Sequence, residues 1–258
     1  MNASKHQPSH PSRGVGDPRA AIGLLTRVPV GSHAAADPGG SAAWFPAVGL
    51  FVAGAGILAY AVSVPWFGTS VAAILAVATT VMVTGAFHED GLADFADGVW
   101  GGDTPARRLE IMRDSRLGTY GTVALVGELA LRVALLSALD TGGFVQALVV
   151  AETAGRLAPL VVARVAPPAR GDGQGATLRP PSAAGWTLAV GTALVVGAAA
   201  VGVAALGVVA ATVVIAGGVG WLARARLGGR TGDVLGAAVA VSRLAALAAV
   251  VAWERIGA

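Results

Sequence analysis

The sequence has 258 residues, of which 55% are hydrophobic and 13% are charged, and its mean hydropathy is +0.69. A soluble domain carries roughly 25% charged residues, so this composition excludes an ordinary water-soluble protein and indicates a membrane protein. The absence of cysteine excludes disulfides, thiolate zinc sites and a cysteine nucleophile. The basic residues are scattered between apolar segments, so they indicate membrane topology and not nucleic-acid binding.

The chain begins with a polar stretch over residues 1–19, rich in Ser, Pro, His and Gly, which predicts a disordered tail. The membrane domain is expected to comprise residues 20–258. Its first apolar stretch, Ala20 to Val30, is too short to cross a bilayer, so we expect it to lie at the interface or to re-enter.

Seven later stretches approach the roughly 20 apolar residues that a membrane crossing requires. They are residues 44–64, 69–87, 120–139, 144–164, 184–202, 205–222 and 234–253. Ala, Val, Leu and Gly dominate them, and small residues let transmembrane helices pack closely. The expected fold is all-α, a polytopic transmembrane bundle of about seven spans with an acidic helical segment on the cytoplasmic side.

The positive-inside rule gives an orientation. Lys and Arg precede the first span and follow the second, fourth and sixth, whereas the connections at 65–68, 140–143 and 203–204 contain neither. The N-terminus and the three basic loops are therefore predicted to be cytoplasmic, with Arg255 as the exception. The Gly- and Pro-rich stretch 167–181 is expected to be a flexible loop.

Nearly half of the acidic residues fall in one segment, HEDGLADFADGVWGGDTPARRLEIMRDSRLGTYG, at residues 88–121. If the second span continues as a helix, Asp90, Asp94 and Asp97 lie on one face at i, i+4 and i+7. Their mutual repulsion predicts a bound hard cation, and oxygen ligands favour Mg²⁺. The alternative is a solvated acidic loop whose carboxylates pair with nearby Arg residues.

Further residues of the segment suit phosphoryl transfer. Asp114 is placed to close the metal site from the opposite side. Guanidinium groups, which can donate two parallel hydrogen bonds to phosphate oxygens, are supplied by Arg107, Arg108, Arg113 and Arg116. Carboxylates, a metal and Arg side chains together are typical of phosphoryl-transfer sites.

The acidic segment resembles the signature of the cobalamin synthase family, the adenosylcobinamide-GDP ribazoletransferases. LLTRVPV at 24–30, WFPAVGL at 44–50 and GGRTGDVLGA at 228–237 resemble family motifs in the same order. The resemblance implies a magnesium-dependent, multi-pass enzyme of the cell inner membrane. Its substrates would be adenosylcobinamide-GDP and α-ribazole or α-ribazole 5′-phosphate, and its products adenosylcobalamin or its phosphate, and GMP.

The expected site residues follow from these observations together. The metal ligands are Asp90, Asp94, Asp97 and Asp114. His88 and Glu89 are the expected general bases, although His88 could instead orient an Asp ligand. The substrate-binding residues are Arg27, Arg107, Arg113, Ser115, Arg116, Arg230 and Asp233. Asp233 has a second interpretation as a helix cap, and the loop GGRTGD lacks the Gly-Lys-Ser/Thr ending of a P-loop.

Ionisable residues inside the predicted spans are costly in lipid and should pair. Glu128 and Arg132 lie i, i+4 on the third span, as do Glu152 and Arg156 on the fourth, which predicts a four-charge cluster. Arg243 has no partner in this scheme. It lies where the resemblance leads us to expect acidic residues.

Two other classes are weighed against this prediction. CDP-alcohol phosphatidyltransferases also bind metal at a helix end, but DGLADF does not fit their DGxxAR pattern. A transporter would use the intramembrane charges as its pathway, but the acid is concentrated at one face and no inverted repeat is visible. Self-association into a homo-oligomer is left open.

Overall fold

The computed structural model describes residues 14–31 and 38–257, and within them the fold is helical. The α-helices are α1 Pro18–Leu25, α2 Pro38–Ser41, α3 Phe45–Thr84, α4 Phe87–Gly101, α5 Pro105–Ile111, α6 Thr119–Ser137, α7 Thr141–Gly155, α8 Ala158–Val165, α9 Gly173–Thr177, α10 Ala183–Val201, α11 Ala204–Leu227 and α12 Gly232–Gly257. A 3₁₀ turn, Ala42–Trp44, joins α2 to α3. The all-α prediction is confirmed. Most of the predicted tail, residues 1–13, lies outside the described residues.

Helix α3 is a hairpin of two arms. Its 40 residues would extend about 60 Å if straight, twice the thickness of a bilayer core. The helix is broken at Gly68, whose φ of 73° and ψ of 174° are not helical. A Cβ on Gly56 would lie 2.8 Å from Thr80 Cγ2 and 3.4 Å from the carbonyl oxygen of Ala76, so the arms pack against each other. They correspond to the first two predicted spans.

Six helical elements of the described residues are long and apolar enough to cross a membrane, and the α3 hairpin is one of them. The others begin and end within a few residues of the predicted boundaries, except at two places. The predicted span 144–164 is interrupted between Gly155 and Ala158, where α7 ends and α8 begins. Helix α11 continues past residue 222 to Leu227.

The bundle carries large apolar side chains outside and small or polar ones inside. Trp66, Met82 and Trp221 are among the strongly exposed side chains, a surface suited to lipid. The close approach of helices α3 and α7 inside the bundle depends on glycine. A Cβ added to Gly49 of α3 would lie 2.2 Å from the carbonyl oxygen of Glu152 of α7, so a larger residue would not fit. Small residues therefore pack the interior, as in other membrane bundles.

Three predicted basic loops meet at one end of the bundle. Arg108 donates a hydrogen bond to the carbonyl of Arg226, and Arg113 pairs with Asp172 at 3.2 Å. Arg170 donates to the carbonyl of Leu109. The loops after α4, α8 and α11 thus lie on the same side, as the positive-inside pattern requires.

The loop predicted to be flexible is partly ordered. It contains α9, and a Cβ on Gly175 would lie 2.6 Å from Thr231 Cα, so α9 packs directly on the start of α12. A parallel β-bridge joins Pro168 to Arg230. Composition predicted a loop here, but not the tertiary contacts that hold it.

Candidate active site

Helix α4 is separate from α3 and does not continue it. Gly85 and Ala86 both have positive φ, 68° and 58°, and these two residues turn the chain between the helices. A left-handed alanine is strained and is held by its surroundings, here by the hydrogen bond from its N–H to the carbonyl of Val81. The predicted continuation of the second span through the acidic segment is wrong, but the helical phasing within α4 is confirmed.

Two of the predicted metal ligands lie on α4 beside the start of α12. Asp90 is exposed and Asp94 is half-buried. Burial raises the pKa of Asp94 to about 7, with further contributions from the negative charges of Asp90, Asp233 and Asp97. We call Asp90, Asp94 and Asp233 the carboxylate group.

Gly91 explains why these carboxylates are close. A Cβ on Gly91 would lie 2.8 Å from the carbonyl oxygen of Asp233 and 3.2 Å from Gly236 Cα. Helices α4 and α12 therefore touch backbone to backbone at this point. Asp233, assigned to substrate binding from the sequence, is brought to the metal-ligand candidates by this contact.

Asp97 has a different environment. Its carboxylate is buried and accepts hydrogen bonds from the backbone N–H groups of Gly118, at 2.8 Å, and Gly121, at 2.9 Å. These are unpaired donors at the N-terminus of α6, where a negative charge is also favoured by the helix dipole. Asp97 therefore joins α4 to α6, and its charge is still close enough to Asp94 to help raise the pKa of that residue.

Asp114 lies in the turn after α5. It accepts hydrogen bonds from three nitrogen atoms of Arg116, which hold the pKa of its carboxyl at about 2. Ser115 is exposed in the same turn, and nearby Arg107 pairs with Glu110 at 2.7 Å. In the described part of the chain, no three His, Asp or Glu side chains converge closely enough to hold a metal ion. Asp90, Asp94 and Asp233 therefore lie near one another without forming a closed metal site, whereas Asp97 and Asp114 are engaged by other hydrogen bonds.

Arg230 is a structural residue. Its guanidinium is buried and donates hydrogen bonds to the carbonyls of Ala166 and Leu178. Its backbone N–H and C=O bond to Pro167 and Ala169. All these contacts hold the loop between α8 and α10 against the start of α12, so the side chain is not free to bind a phosphate.

Two further predicted positions differ from expectation in detail. The residue that caps α12 is Thr231 and not Asp233, because the Thr231 hydroxyl accepts a hydrogen bond from the N–H of Val234. Arg27 is exposed, its N–H donates to the carbonyl of Val83, and its side chain lies against Gly85. The Arg27 region therefore lies beside the turn that starts α4.

Arg170 is a further candidate, which in the sequence contributes only to the positive-inside pattern. It is partly buried, and its electrostatic neighbours are Arg113, Asp233 and Asp172. It is therefore close both to the exposed Arg113 and to Asp233 of the carboxylate group. The hydrogen bond from Arg170 to the carbonyl of Leu109 holds this loop against α5 and so brings the side chain to the site. No local sequence pattern predicts this tertiary contact.

Glu89 belongs to a buried charge cluster that is larger than predicted. The cluster consists of Glu89, Glu128, Arg132, Glu152, Arg156 and Arg243. Three carboxylates and three guanidinium groups balance in charge. Each member is almost fully buried, and the cluster joins α4, α6, α7 and α12.

The detailed pairing corrects the expectation for Arg243. It is not unpaired, since it donates to Glu89 at 2.8 Å and to Glu128 at 2.7 Å. Arg132 pairs with Glu152 at 3.2 Å, and Glu128 pairs with Arg243 and Arg132. The acidic partner that completes the cluster is Glu89.

His88 is buried beside this cluster, and neither ring nitrogen has a hydrogen-bond partner. Burial, followed by the positive charge of Arg156, lowers the pKa of His88 to about 3. The imidazole is therefore neutral at pH 7 and is a weak base.

His88 also lines a cavity of about 500 Å³. The walls come from α1, the start of α3, and parts of α4, α8, α9 and α12. Most of the lining is apolar, including Leu24, Phe45, Phe87 and Val239. The cavity shares α4 and α12 with the carboxylate group.

Fold and site together define a multi-pass helical membrane protein with a carboxylate group at one end of the bundle. The family model described as cobalamin-5-phosphate synthase matches residues 17–251. The chain belongs to this family. It is 40% identical over 229 residues to the adenosylcobinamide-GDP ribazoletransferase of Bradyrhizobium diazoefficiens, which covers 86% of this chain and 88% of that protein.

A second relative gives the same result. The adenosylcobinamide-GDP ribazoletransferase of Azorhizobium caulinodans is 41% identical over 272 aligned positions, covering 95% of this chain and 98% of that protein. No solved structure matches the chain significantly.

Proposed function

We propose that this protein is an adenosylcobinamide-GDP ribazoletransferase that carries out the final assembly of the nucleotide loop in cobalamin biosynthesis. The observation that carries the proposal is the family match over residues 17–251, which includes α4 and the start of α12. The carboxylate group on those two helices supplies the type of site that transfer of a substituted phosphate requires.

In the reaction, a ribose hydroxyl oxygen of the acceptor attacks the phosphorus nearest the corrinoid. Because α-ribazole 5′-phosphate carries its phosphate on the 5′-oxygen and keeps it in the product, the attacking group is one of the ring hydroxyls of the ribose. A new phosphorus–oxygen bond forms, and the bond from that phosphorus to the bridging oxygen breaks. GMP leaves with the bridging oxygen, and the hydroxyl proton is lost. The protein contributes mainly position and charge, as is usual in phosphoryl transfer.

The donor set fits a divalent cation. Asp90, Asp94 and Asp233 supply hard oxygen ligands, and burial, followed by the negative charges of neighbouring carboxylates, raises the pKa of Asp94. These three side chains do not converge on one point, so they would hold Mg²⁺ only after turning toward one another, and the bound ion would then neutralise charge on the diphosphate. Asp97 and Asp114 already have partners and are not assigned to the metal.

Arg113 and Arg170 are the proposed contacts to the diphosphate. Arg113 is exposed and pairs only with the exposed Asp172, a weak interaction that a phosphate can replace. Arg170 is close to both members of that pair and to Asp233. Arg107 and Arg116 lie further along the same exposed segment, and Arg27 lies beside the α3–α4 turn, so all three are positioned to attract anionic substrates to this end of the bundle.

Neither predicted general base suits that role. The Glu89 carboxylate is buried in ion pairs with Arg132 and Arg243. The His88 ring is neutral but too weak a base to take a proton efficiently at pH 7.

The proposed location is the cell inner membrane, with the N-terminus and the active site on the cytoplasmic side. The support is that the basic loops meet at the end of the bundle that carries the carboxylate group. A homo-oligomer stays a prediction, which the mass of the detergent-solubilised protein tests.

The experiment measures GMP release by the purified protein given adenosylcobinamide-GDP, α-ribazole and Mg²⁺. We expect turnover that EDTA abolishes and that Mg²⁺ restores. Asp94→Asn should lose turnover by a factor on the order of 100 while its helical circular dichroism is retained. Asp103→Asn is the matched control, since Asp103 is an exposed acid of the same segment that bonds only to Thr104 N–H.

The outcomes separate the parts of the proposal. If the wild-type protein forms no GMP, the activity is refuted. If EDTA has no effect, or Asp94→Asn retains wild-type turnover, the metal assignment is refuted and the activity stands.

A further inference from the structure

We propose that the cavity beside His88 is the binding site for the benzimidazole base of α-ribazole, with the His88 ring donating a hydrogen bond to the imine nitrogen of that base. The inference rests on the proposed function and deepens it, because it assigns one substrate to one place in the fold.

The cavity has the size and lining of a small-molecule site. Its volume of about 500 Å³ lies within the range of roughly 300–1,000 Å³ that is usual for such pockets. Leu24, Phe45, Phe87 and Val239 provide an apolar surface for a flat bicyclic ring. Polar groups are few, as in most pockets that bind aromatic ligands.

His88 is the polar group that points to a ligand. It is 1% exposed, it lines the cavity, and both ring nitrogens lack a hydrogen-bond partner. A buried polar group without a partner costs free energy, and such a group in a native structure needs an explanation. A neutral imidazole has one N–H donor, which matches the single acceptor nitrogen of an N-substituted benzimidazole.

The cavity lies next to the carboxylate group along both helices. On α4, Phe87 and His88 line the cavity, and Asp90 follows within one turn. On α12, Leu235 and Gly236 line it, and Asp233 precedes them. A base in the cavity therefore lies within one helical turn of the carboxylates along both helices, so that the attached ribose and its reacting hydroxyl are close to them.

The other parts of the substrates suit this cavity less well. Guanine carries several donors and acceptors, and burying them in an apolar pocket without partners is costly. A corrin macrocycle with its side chains is larger than the cavity. A lipid acyl chain would fit the apolar walls, but it would leave both nitrogens of His88 without a partner.

The first test uses an acceptor analogue that lacks the imine nitrogen, the corresponding indole α-ribonucleoside. The wild-type protein should prefer α-ribazole to this analogue by about tenfold in kcat/KM, the effect of one hydrogen bond. His88→Leu should lower kcat/KM for α-ribazole by about the same factor and abolish the preference. The KM for adenosylcobinamide-GDP should not change.

His88→Leu is expected to fold, because it replaces an unpaired polar group with an apolar side chain of similar size. A merely structural role for His88 would affect both acceptors equally. If His88→Leu still prefers α-ribazole, or if the KM for adenosylcobinamide-GDP rises instead, the inference is overturned.

The second test reduces the volume of the cavity and leaves His88 unchanged. Thr177 lies on α9 at the cavity, is exposed, and can be replaced by Trp at little risk to folding. Thr177→Trp should raise the KM for α-ribazole at least threefold and leave that for adenosylcobinamide-GDP unchanged. Thr187→Trp is the matched control, since Thr187 is an exposed helical threonine of α10 outside the cavity.

The remaining outcomes are also decisive. An unchanged KM for α-ribazole in Thr177→Trp, together with less co-purifying phospholipid, would assign the cavity to lipid and refute the inference. A raised KM for adenosylcobinamide-GDP would assign it to that substrate. Absence of GMP release by the wild-type protein would refute the proposed function itself, and the variants are compared only against an active wild type.

Discussion

Arg243 on α12 donates a hydrogen bond to Oε1 of Glu89 on α4 at 2.8 Å, and the same carboxylate oxygen accepts another from Arg132 on α6 at 3.1 Å. Glu89 thus fixes α4 to α6 and α12, whereas Asp90, the next residue in the helix, is exposed. The two adjacent acids have separate roles, one in the buried cluster and one in the carboxylate group.

Arg243→Leu should destabilise the protein strongly. The change leaves Glu89 and Glu128 buried with one partner fewer each, and breaking a buried ion pair costs about 3–5 kcal/mol. Unfolding in mixed detergent micelles measures the difference. Arg255→Leu, at the exposed far end of the same helix, should be close to neutral. Equal stability of the two variants would show that the cluster contributes no net stability through Arg243.

Asp97→Asn distinguishes a helix-joining residue from a metal ligand. The amide keeps one acceptor oxygen but loses the second, so one N–H at the start of α6 is left unpaired, at a cost of about 1–3 kcal/mol. We expect lower stability with an unchanged Mg²⁺ concentration for half-maximal activity. A large rise in that concentration would instead place Asp97 among the metal ligands.

The pKa of Asp94 gives the pH dependence of metal binding. Since burial and neighbouring carboxylates raise this pKa from 3.8 to about 7, the group is protonated below pH 7 and ionised above it. Mg²⁺ must displace this proton at low pH, so its apparent affinity should fall by about tenfold per pH unit below pH 7 and level off above. Titration of Mg²⁺ into the protein between pH 5.5 and 8.5 measures this profile.

The same shift has a consequence for stability without metal. A carboxyl whose pKa is higher in the folded state favours that state at low pH, and this contribution is lost as the pH rises from about 4 through 7. Added Mg²⁺ should therefore stabilise the protein more at pH 8 than at pH 6. An equal effect at both pH values would contradict the role of Asp94.

Local patterns predicted the helices well because apolar length and the positions of Gly and Pro are local properties. The hairpin turn at Gly68 and the boundaries of α6 and α10 needed no tertiary information. The break between α7 and α8 was missed because the apolar pattern continues through it, although Pro159 falls in the first turn of α8.

The site was less predictable because its members come from distant parts of the chain. Helical spacing placed Asp90, Asp94 and Asp97 on one helix, but the N-terminus of α6 engages Asp97, and α12 contributes Asp233. Arg243 and Glu89 are 154 residues apart, so no local pattern could pair them. Arg230 lies in a Gly-rich loop whose composition is typical of phosphate binding, yet its guanidinium donates hydrogen bonds to backbone carbonyls.

Gly91→Ala tests whether the contact between α4 and α12 builds the carboxylate group. The added Cβ would lie 2.8 Å from the carbonyl oxygen of Asp233 and 3.1 Å from its Cα, and because both are backbone atoms the helices must move apart. This displacement separates Asp90 and Asp94 from Asp233. We expect GMP release to fall by at least tenfold, since a shift of about 1 Å is enough to disturb a catalytic arrangement.

The matched control is Gly127→Ala on α6, where an added Cβ meets no atom within 4 Å. That change should be neutral or stabilise the helix by up to about 1 kcal/mol, because alanine is the better helix former. If Gly91→Ala releases GMP at the wild-type rate and binds Mg²⁺ with unchanged affinity, then Asp233 acts independently of α4. The metal would in that case be held by α4 alone.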